Sequence, residues 1–319
     1  MLQCASVGAK TRSAKEAILL EAKMTMIKKF SIGIMAAIFA VVLCLAFAGC
    51  APGNYNKELK EAQLHTPDIL EEGKLKVGVN FGNPPMAGDT AKASGIDIDV
   101  ASAIAEDLGL EVEIVDCGTT PETALSEKKC DILMGVPQSS NLSDVWKSEP
   151  YIQTASALFA KDSDAPVPVK GGADKFASEM ASSSAISCQA QFDVANIKLD
   201  STISAAFEDL SNGAVKYVAA DAIIGSYNIK ENNIEASMIA LLNRPSGFCA
   251  CALSSNSKLT EKIKGSMETL SKGGVFLVIE KRWLGRALEL DTCNKTAEAD
   301  NQPDNGQLEA GVYAQATEN

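Results

Sequence analysis

Apolar and polar positions alternate along Leu75-Lys-Val-Gly-Val79, the period of a half-buried strand. Further on, Ile96, Val100, Ile104 and Leu108 recur at every fourth position with Ala101 and Ala105 beside them. That spacing predicts a helix with one apolar face, and Gly109 ends it. Glu111-Val-Glu-Ile-Val115 is the next strand. Thr120-Pro121 has the form of an N-cap followed by proline at the first helical position, opening a helix to about Lys129. Asp131-Ile-Leu-Met-Gly135 follows as a buried strand. Strand–helix–strand–helix–strand predicts parallel pairing with right-handed crossovers.

The pattern then repeats with other residues. Ala185-Ile-Ser-Cys188 reads as a strand, and Thr202–Leu210 as a helix with Ile203, Phe207 and Leu210 on one side. Val215–Ala219 predicts a strand, Ala222–Ile229 a helix and Ser237–Leu242 a strand. Ile152–Ala160 and Gly247–Leu253 are extended stretches between the two units, read as two crossings. Leu259–Leu270 and Val275–Leu284 are helices that return to the first unit. The fold class is therefore α/β: two α/β lobes joined by two crossing segments, with a cleft where the carboxyl ends of the strands meet. The first lobe is expected over 72–152 and 250–289, the second over 153–249.

The two ends differ from this body. Met26-Ile-Lys-Lys and the apolar run Phe30–Ala48 have the form of a secretory signal, so residues 1–49 are read as a leader whose true start is Met26. The run ends in Phe47-Ala-Gly-Cys50, which resembles a bacterial lipobox with Cys50 as the lipidated residue. The competing reading is a transmembrane helix of about the same length. Residues 50–71 then form a polar tether holding the chain's one histidine, His65, and 290–319 are expected to be a disordered acidic tail.

Charge and composition narrow the chemistry. The 319 residues carry a net charge of −12, and the leader holds more Lys and Arg than Glu, so the mature chain is more acidic still. A polyanion is repelled by that charge, which argues against nucleic acid as a partner. A single histidine leaves the body without a Ser-His-Asp triad or a His-rich metal site, so neither a metal nor a cofactor is expected.

A set of short segments, in order, carries a family resemblance. These are Lys74-Leu-Lys-Val-Gly-Val79, Pro84-Pro85, Gly95-Ile-Asp-Ile-Asp-Val-Ala101, Cys130-Asp-Ile-Leu-Met-Gly135 and Ser148-Glu-Pro-Tyr151. Asn212-Gly-Ala-Val-Lys-Tyr-Val-Ala-Ala-Asp221 and Gly273-Gly-Val-Phe through Lys281-Arg-Trp-Leu-Gly285 continue it. Together they resemble the polar amino-acid-binding components of ABC importers, the extracellular solute-binding proteins of family 3, over roughly Glu72–Gly285. The resemblance implies a type II periplasmic-binding-protein fold, a small polar solute in the interlobe cleft, a permease and ATPase as partners, and a monomeric chain at the cell envelope.

The departures fall in the ligand site. Met86 stands where an aromatic residue usually follows the Pro-Pro pair, and Ile96 where Phe usually follows the glycine. The loop Val136–Asp144 lacks the arginine that would grip a ligand carboxylate, leaving Gln138, Ser139 and Ser140 as donors or as turn residues. The second-lobe loop, usually Gly-Thr-Thr, is placed at Ala190-Gln191-Phe192. Asp221 is kept, and the resemblance implies that it accepts the ligand's ammonium group; on its own it is also a good N-cap. Phe81 and Phe192 either stack on the ligand or pack, and Arg244 either replaces the lost arginine or lies exposed.

Of nine cysteines, Cys117, Cys130, Cys188, Cys249, Cys251 and Cys293 remain in the body beyond Cys50. Their pairing stays open, with free thiols packed as small apolar groups one alternative. A Cys117–Cys130 pair is not expected, because one ends a strand and the other precedes a parallel one. Cys188 is a candidate to reach Cys249 or Cys251. Two other functions compete with transport: a surface sensor without a permease, and a dehydratase-type enzyme on the same fold. An enzyme would need a tuned acid–base pair facing the cleft, and none is evident in the sequence.

Overall fold

The computed structural model describes residues 60–88, 92–118 and 121–302, all within one compact unit, Leu59–Asn319. Cys50, the leader, the Thr120 cap and the end of the chain after Gln302 lie outside the described residues. Among the described residues no helix is long and apolar enough to cross a membrane.

The first sheet has six strands. β1 (Lys74–Val79) sits between β2 (Glu111–Asp116) and β3 (Ile132–Pro137), parallel to both. Their crossovers are α1 (Ile96–Asp107) and the short α2 (Pro121–Ser126). β4 (Val145–Lys147), β5 (Ile152–Thr154) and β11 (Ser246–Leu253) complete it, with β11 antiparallel to β3, β4 and β5. α1 buries Ile96, Val100, Ala101, Ile104 and Ala105, the face expected from the four-residue spacing. Residues 60–71, read as tether, lie against this lobe instead. Leu64 and Ile69 are buried, Gln63 N donates to Leu108 O, and Lys60 pairs with Asp107 at 2.6 Å. Apolar Leu64 and Ile69 are the reason: left in water they would forfeit burial of two large side chains. His65 remains exposed, its Nδ1 2.6 Å from Glu72.

The second sheet has five strands in the order β10-β6-β9-β7-β8. They are β6 (Ser156–Ala160), β7 (Phe176–Glu179), β8 (Ile197–Asp200), β9 (Tyr217–Asp221) and β10 (Ser237–Leu241). The helices are α3 (Ser183–Gln191), α4 (Ile203–Asn212) and α5 (Ala222–Glu231). Here one expectation fails. Ala185–Cys188 is helical, inside α3, and the strand is Phe176–Glu179. The Ser182 side chain accepts from Ala185 N and starts the helix, overriding a four-residue apolar run too short to specify a strand. α4 has a Thr202 N-cap and Gly213 in the left-handed conformation at its C-cap, as its sequence suggests.

The chain passes between sheets at Ala155, where β5 runs into β6, and again in residues 242–245, between β10 and β11. The expected second crossing at Gly247–Leu253 is thus displaced, since those residues are a central strand of the first sheet. α6 (Ser257–Lys272) and α7 (Val275–Leu284) then pack on α1.

Residues after 290 also depart from expectation. A short 3-10 turn, Leu290–Thr292, leads to a strand-like contact with β10: Leu241 N donates to Asn294 O, and Thr296 N to Leu241 O. A one-turn helix α8 (Ala297–Asp300) follows, with Leu290 and Ala299 fully buried. The composition of 290–319 hid this, because two well-placed apolar residues and a row of backbone bonds hold the first part of that segment.

Candidate functional site

The crossings fix where a ligand would be met. β5 continues directly into β6, and Ser156 at the start of β6 pairs with Asp221 at the carboxyl end of β9. β11 starts beside β5, and its Phe248 pairs with Pro137 at the carboxyl end of β3. Topology therefore brings the carboxyl ends of the parallel strands of both sheets to the crossing.

From the second sheet, Asp221 ends β9 and caps α5. Its Oδ1 accepts from Ile223 N at 2.9 Å and Ile224 N at 3.1 Å, and its Oδ2 accepts from Thr154 Oγ1 at 2.7 Å. Thr154 belongs to β5 of the first sheet, so this carboxylate bridges the two sheets. Burial raises the pKa of Asp221, against the lowering pull of these three donors. Ammonium is the group that would best stabilise its charged form.

The loop after β7 also belongs here. Ala181 has φ of 63°, a conformation glycine adopts more easily, and Ser182 and Ser183 follow at the start of α3. Ala181-Ser182-Ser183 thus links the carboxyl end of β7 to α3, whereas the second-lobe ligand loop was expected at Ala190–Phe192.

Gln191 and Phe192 end α3 instead, and neither is free to meet a ligand there. Gln191 is buried; its Nε2 donates to Leu242 O at 2.5 Å and its Oε1 accepts from Thr296 Oγ1 at 2.7 Å. Phe192 stacks on Phe176 with ring centroids 4.4 Å apart, inside the second-lobe core. Arg244 is engaged by the C-terminal segment: its guanidinium donates to Asp300 O at 3.3 Å and its N to Gln302 Oε1 at 3.2 Å.

From the first sheet, Gln138 and Ser139 are exposed and Ser140 half-buried, on the loop after β3. Lys147 Nζ holds that loop from β4, donating to Gln138 O at 2.6 Å and Ser140 O at 2.7 Å. Phe81, beyond the end of β1, is half-buried against the core. Met86 and Ile96 are 4% and 1% exposed and belong to the core. Below the loop, Tyr151 OH donates to Asp97 Oδ1 and accepts from Gly135 N at 2.8 Å. Gly135 has φ of +71°, and a Cβ there would lie 2.5 Å from Asp97 Oδ2, so glycine is required. Thr154, Tyr151 and Lys147 are the residues that the sequence reading passed over. Only Tyr151 carried a signal, as the end of Ser148-Glu-Pro-Tyr151.

Two α/β sheets joined by two crossings, with a desolvated carboxylate and a hydroxyl-bearing loop at the junction, define a two-lobed solute receptor. The chain belongs to the bacterial extracellular solute-binding proteins, family 3, whose model matches residues 75–286. It is 22% identical to the L-cystine-binding protein TcyA of Bacillus subtilis over 261 residues, 79% of this chain and 97% of that protein. Among solved structures it is similar to a polar amino acid ABC uptake transporter substrate-binding protein from Streptococcus thermophilus. That match has a TM-score of 0.60 and 21% identity, covering 69% of this chain and 89% of the other. The L-cystine solute receptor of Neisseria gonorrhoeae, in its unliganded open conformation, matches with a TM-score of 0.58 and 19% identity, over 67% and 94% of the two chains.

Proposed function

We propose that this protein captures a small amino-group-bearing solute, an amino acid or a derivative, between its lobes and delivers it to the permease and ATPase of an ABC importer. The observation that carries this reading is Asp221, a half-buried carboxylate at the junction of the two sheets with three donors already in place. An ammonium group completes its coordination and favours its charged form. The family supports import as the context, and two relatives named for L-cystine put that diamino acid first among solutes to test. Family 3 proteins are solute-binding proteins, which favours binding over catalysis.

The family's ligand-gripping arginine has no counterpart in the loop after β3, and Arg244 is bound to the C-terminal segment. A ligand carboxylate would instead meet Ser182, Ser183 and the backbone amides at the start of α3, where the helix dipole favours an anion. Attachment to the membrane through lipid on Cys50 completes the proposal, resting on Ala48-Gly49-Cys50 after the apolar run.

Calorimetry on the unlipidated chain tests the ligand, with L-cystine, single amino acids, amines and amide-blocked derivatives as titrants. Asp221→Asn is expected to weaken binding about 10–100-fold, the worth of a charge-assisted hydrogen bond. Unchanged affinity in that variant would remove the ammonium assignment. Mass spectrometry of membrane extracts is expected to find diacylglycerol on an N-terminal Cys50, and an intact Met26 start would favour a transmembrane anchor instead.

A further inference from the structure

The six described cysteines are all free thiols, yet they are not equally placed. Cys188 lies in the second-lobe core, while Cys130, Cys249 and Cys251 share a small cluster of the first lobe with Cys117 at its edge. The expected reach of Cys188 to Cys249 or Cys251 is thereby excluded, since the thiols sit in different lobes. Cys117 and Cys130, the pair set aside from the sequence, are neighbours. Cys117 follows β2, Cys130 precedes β3, and β1 runs between them. The strand that separates them carries Gly78 at the point of contact. A Cβ built on Gly78 would lie 2.6 Å from Cys117 Sγ and 2.9 Å from Cys130 Sγ, so both sulfurs occupy the space a side chain would fill. The two sulfurs thus converge on one point beside Gly78. A parallel sheet puts the end of β2 and the start of β3 at opposite ends, but Gly78 leaves space between the two sulfurs and Lys128, with φ of 55°, turns the chain before β3.

We propose that Cys117 and Cys130 form an intramolecular disulfide that ties the end of β2 to the start of β3 over Gly78. Closing the two sulfurs across the Gly78 space to an S–S bond of about 2.05 Å is the movement required. The oxidant is a disulfide, either of a protein thiol oxidase or of a small thiol such as glutathione, and its supply in the cell rests on the export reading above. Cys117 is half-buried and Cys130 buried, so Cys117 is the sulfur an external disulfide can reach. Its thiolate attacks that disulfide, forms a mixed disulfide and releases one external thiol. Cys130 then loses its proton and attacks Cys117 Sγ, and the second external thiol leaves. Two protein thiols give up two electrons and two protons, and the external disulfide becomes two thiols. Burial pushes Cys130 up to about 12 and also raises Cys117, so closure is expected to accelerate with pH. Cys249 and Cys251 are both fully buried, so an external disulfide cannot reach either, and they stay reduced.

Peptide mapping of the purified full chain after treatment with oxidised glutathione tests the pairing. Trypsin cuts after Lys128 and Lys129, so the two cysteines fall in separate peptides that stay joined only through a disulfide. The expected result is a Cys117–Cys130 linked pair that separates on reduction, with alkylation found at the other body cysteines. Reduction is expected to lower the melting temperature by roughly 5–10 °C, the effect of opening a loop of about this length in a protein of about this size. That shift is expected to vanish in a Cys117→Ala, Cys130→Ala double variant and to persist in Cys249→Ala. A different linked pair, or glutathione adducts without a linked pair, would overturn the proposal. The same mapping on cells quenched with an alkylating agent separates the two readings. A pair that forms in vitro but is reduced in the cell would overturn export and leave the disulfide chemistry standing.

Discussion

Asp97 carries the strongest electrostatic tension near the candidate site. Its carboxyl is buried, and that desolvation pushes its pKa up to about 6, with the Tyr151 hydroxyl pulling the other way. In the unfolded chain the group titrates near 3.8. Between those values the folded protein binds more protons than the unfolded one, so stability falls as pH rises from about 4 to about 6 and stays lowered above it. Such a shift corresponds to roughly 3 kcal/mol. Glu71, Glu72 and Asp107 have lowered pKa values and act in the opposite sense as pH rises. The comparison that isolates Asp97 is therefore wild type against Asp97→Asn, whose amide stands in for the protonated carboxyl. Urea denaturation from pH 4 to pH 7 is expected to show wild type losing roughly 3 kcal/mol relative to the variant. Parallel profiles would mean that Asp97 ionises without penalty. From sequence, Asp97 is one of two carboxylates at a helix start complementing its dipole; only the fold reveals Tyr151 and Gly135 closing over it.

Among the elements, those with a long periodic face were legible and the short ones were not. α1 and α4 follow from their spacing and caps, and β1, β2 and β3 from alternation bounded by turns. β7 and β8 were missed because each spans four residues, and α3 was misread because its sequence lacks a regular apolar face and holds the short apolar run Ala185–Cys188. With Ala185–Cys188 read as a strand, the second-lobe loop is expected at Ala190–Phe192, which the fold instead places at the end of α3. α5 shows the same dependence on distant partners. Gly225 lies on the helix face toward Phe159, and a Cβ there would fall 2.5 Å from two carbons of that ring. The ring cannot retreat freely, since it is fully buried and meets Phe207 edge-on at 5.6 Å. Gly225→Ala gains helix propensity on an isolated helix, by about 1 kcal/mol. In this fold the overpacking penalty of about 1–3 kcal/mol is expected to win. A lower urea midpoint with unchanged slope is the expected outcome, and a raised midpoint would show that the α5–β6 packing gives way easily.

At the scale of the molecule, the two-lobed plan was legible because it rests on repeated strand–helix order, whereas its third connection was not. The chain joins the lobes at Ala155 and at 242–245, as hinge-type receptors require. It also leaves α7, on the first lobe, and ends the described segment against β10 and α3 of the second. Leu290 and Ala299 are buried in that segment, Thr296 supplies a hydroxyl to Gln191, and Lys170 pairs with Glu298. Nearby, α7 meets α5 through Trp283 and Tyr227, with ring centroids 6.5 Å apart. A chain ending at Glu289 loses the burial of Leu290, about 1.5–3 kcal/mol, and leaves the buried Gln191 oxygen without its donor, about 1–3 kcal/mol more. The melting temperature of the truncated chain is expected to fall by roughly 5–15 °C. Removal of a tie between lobes is also expected to widen the unliganded state, which small-angle scattering reads as a larger radius of gyration before solute is added. Thr296→Ala with Leu290→Ala separates the two effects, because it weakens the packing and leaves the chain continuous. If truncation lowers the melting temperature but leaves the unliganded radius unchanged, residues 290–302 stabilise the edge of the second lobe without restraining its rotation. If the radius grows in the truncated chain alone, the covalent strap is the restraint, and solute affinity is expected to weaken because closure then orders a looser pair of lobes.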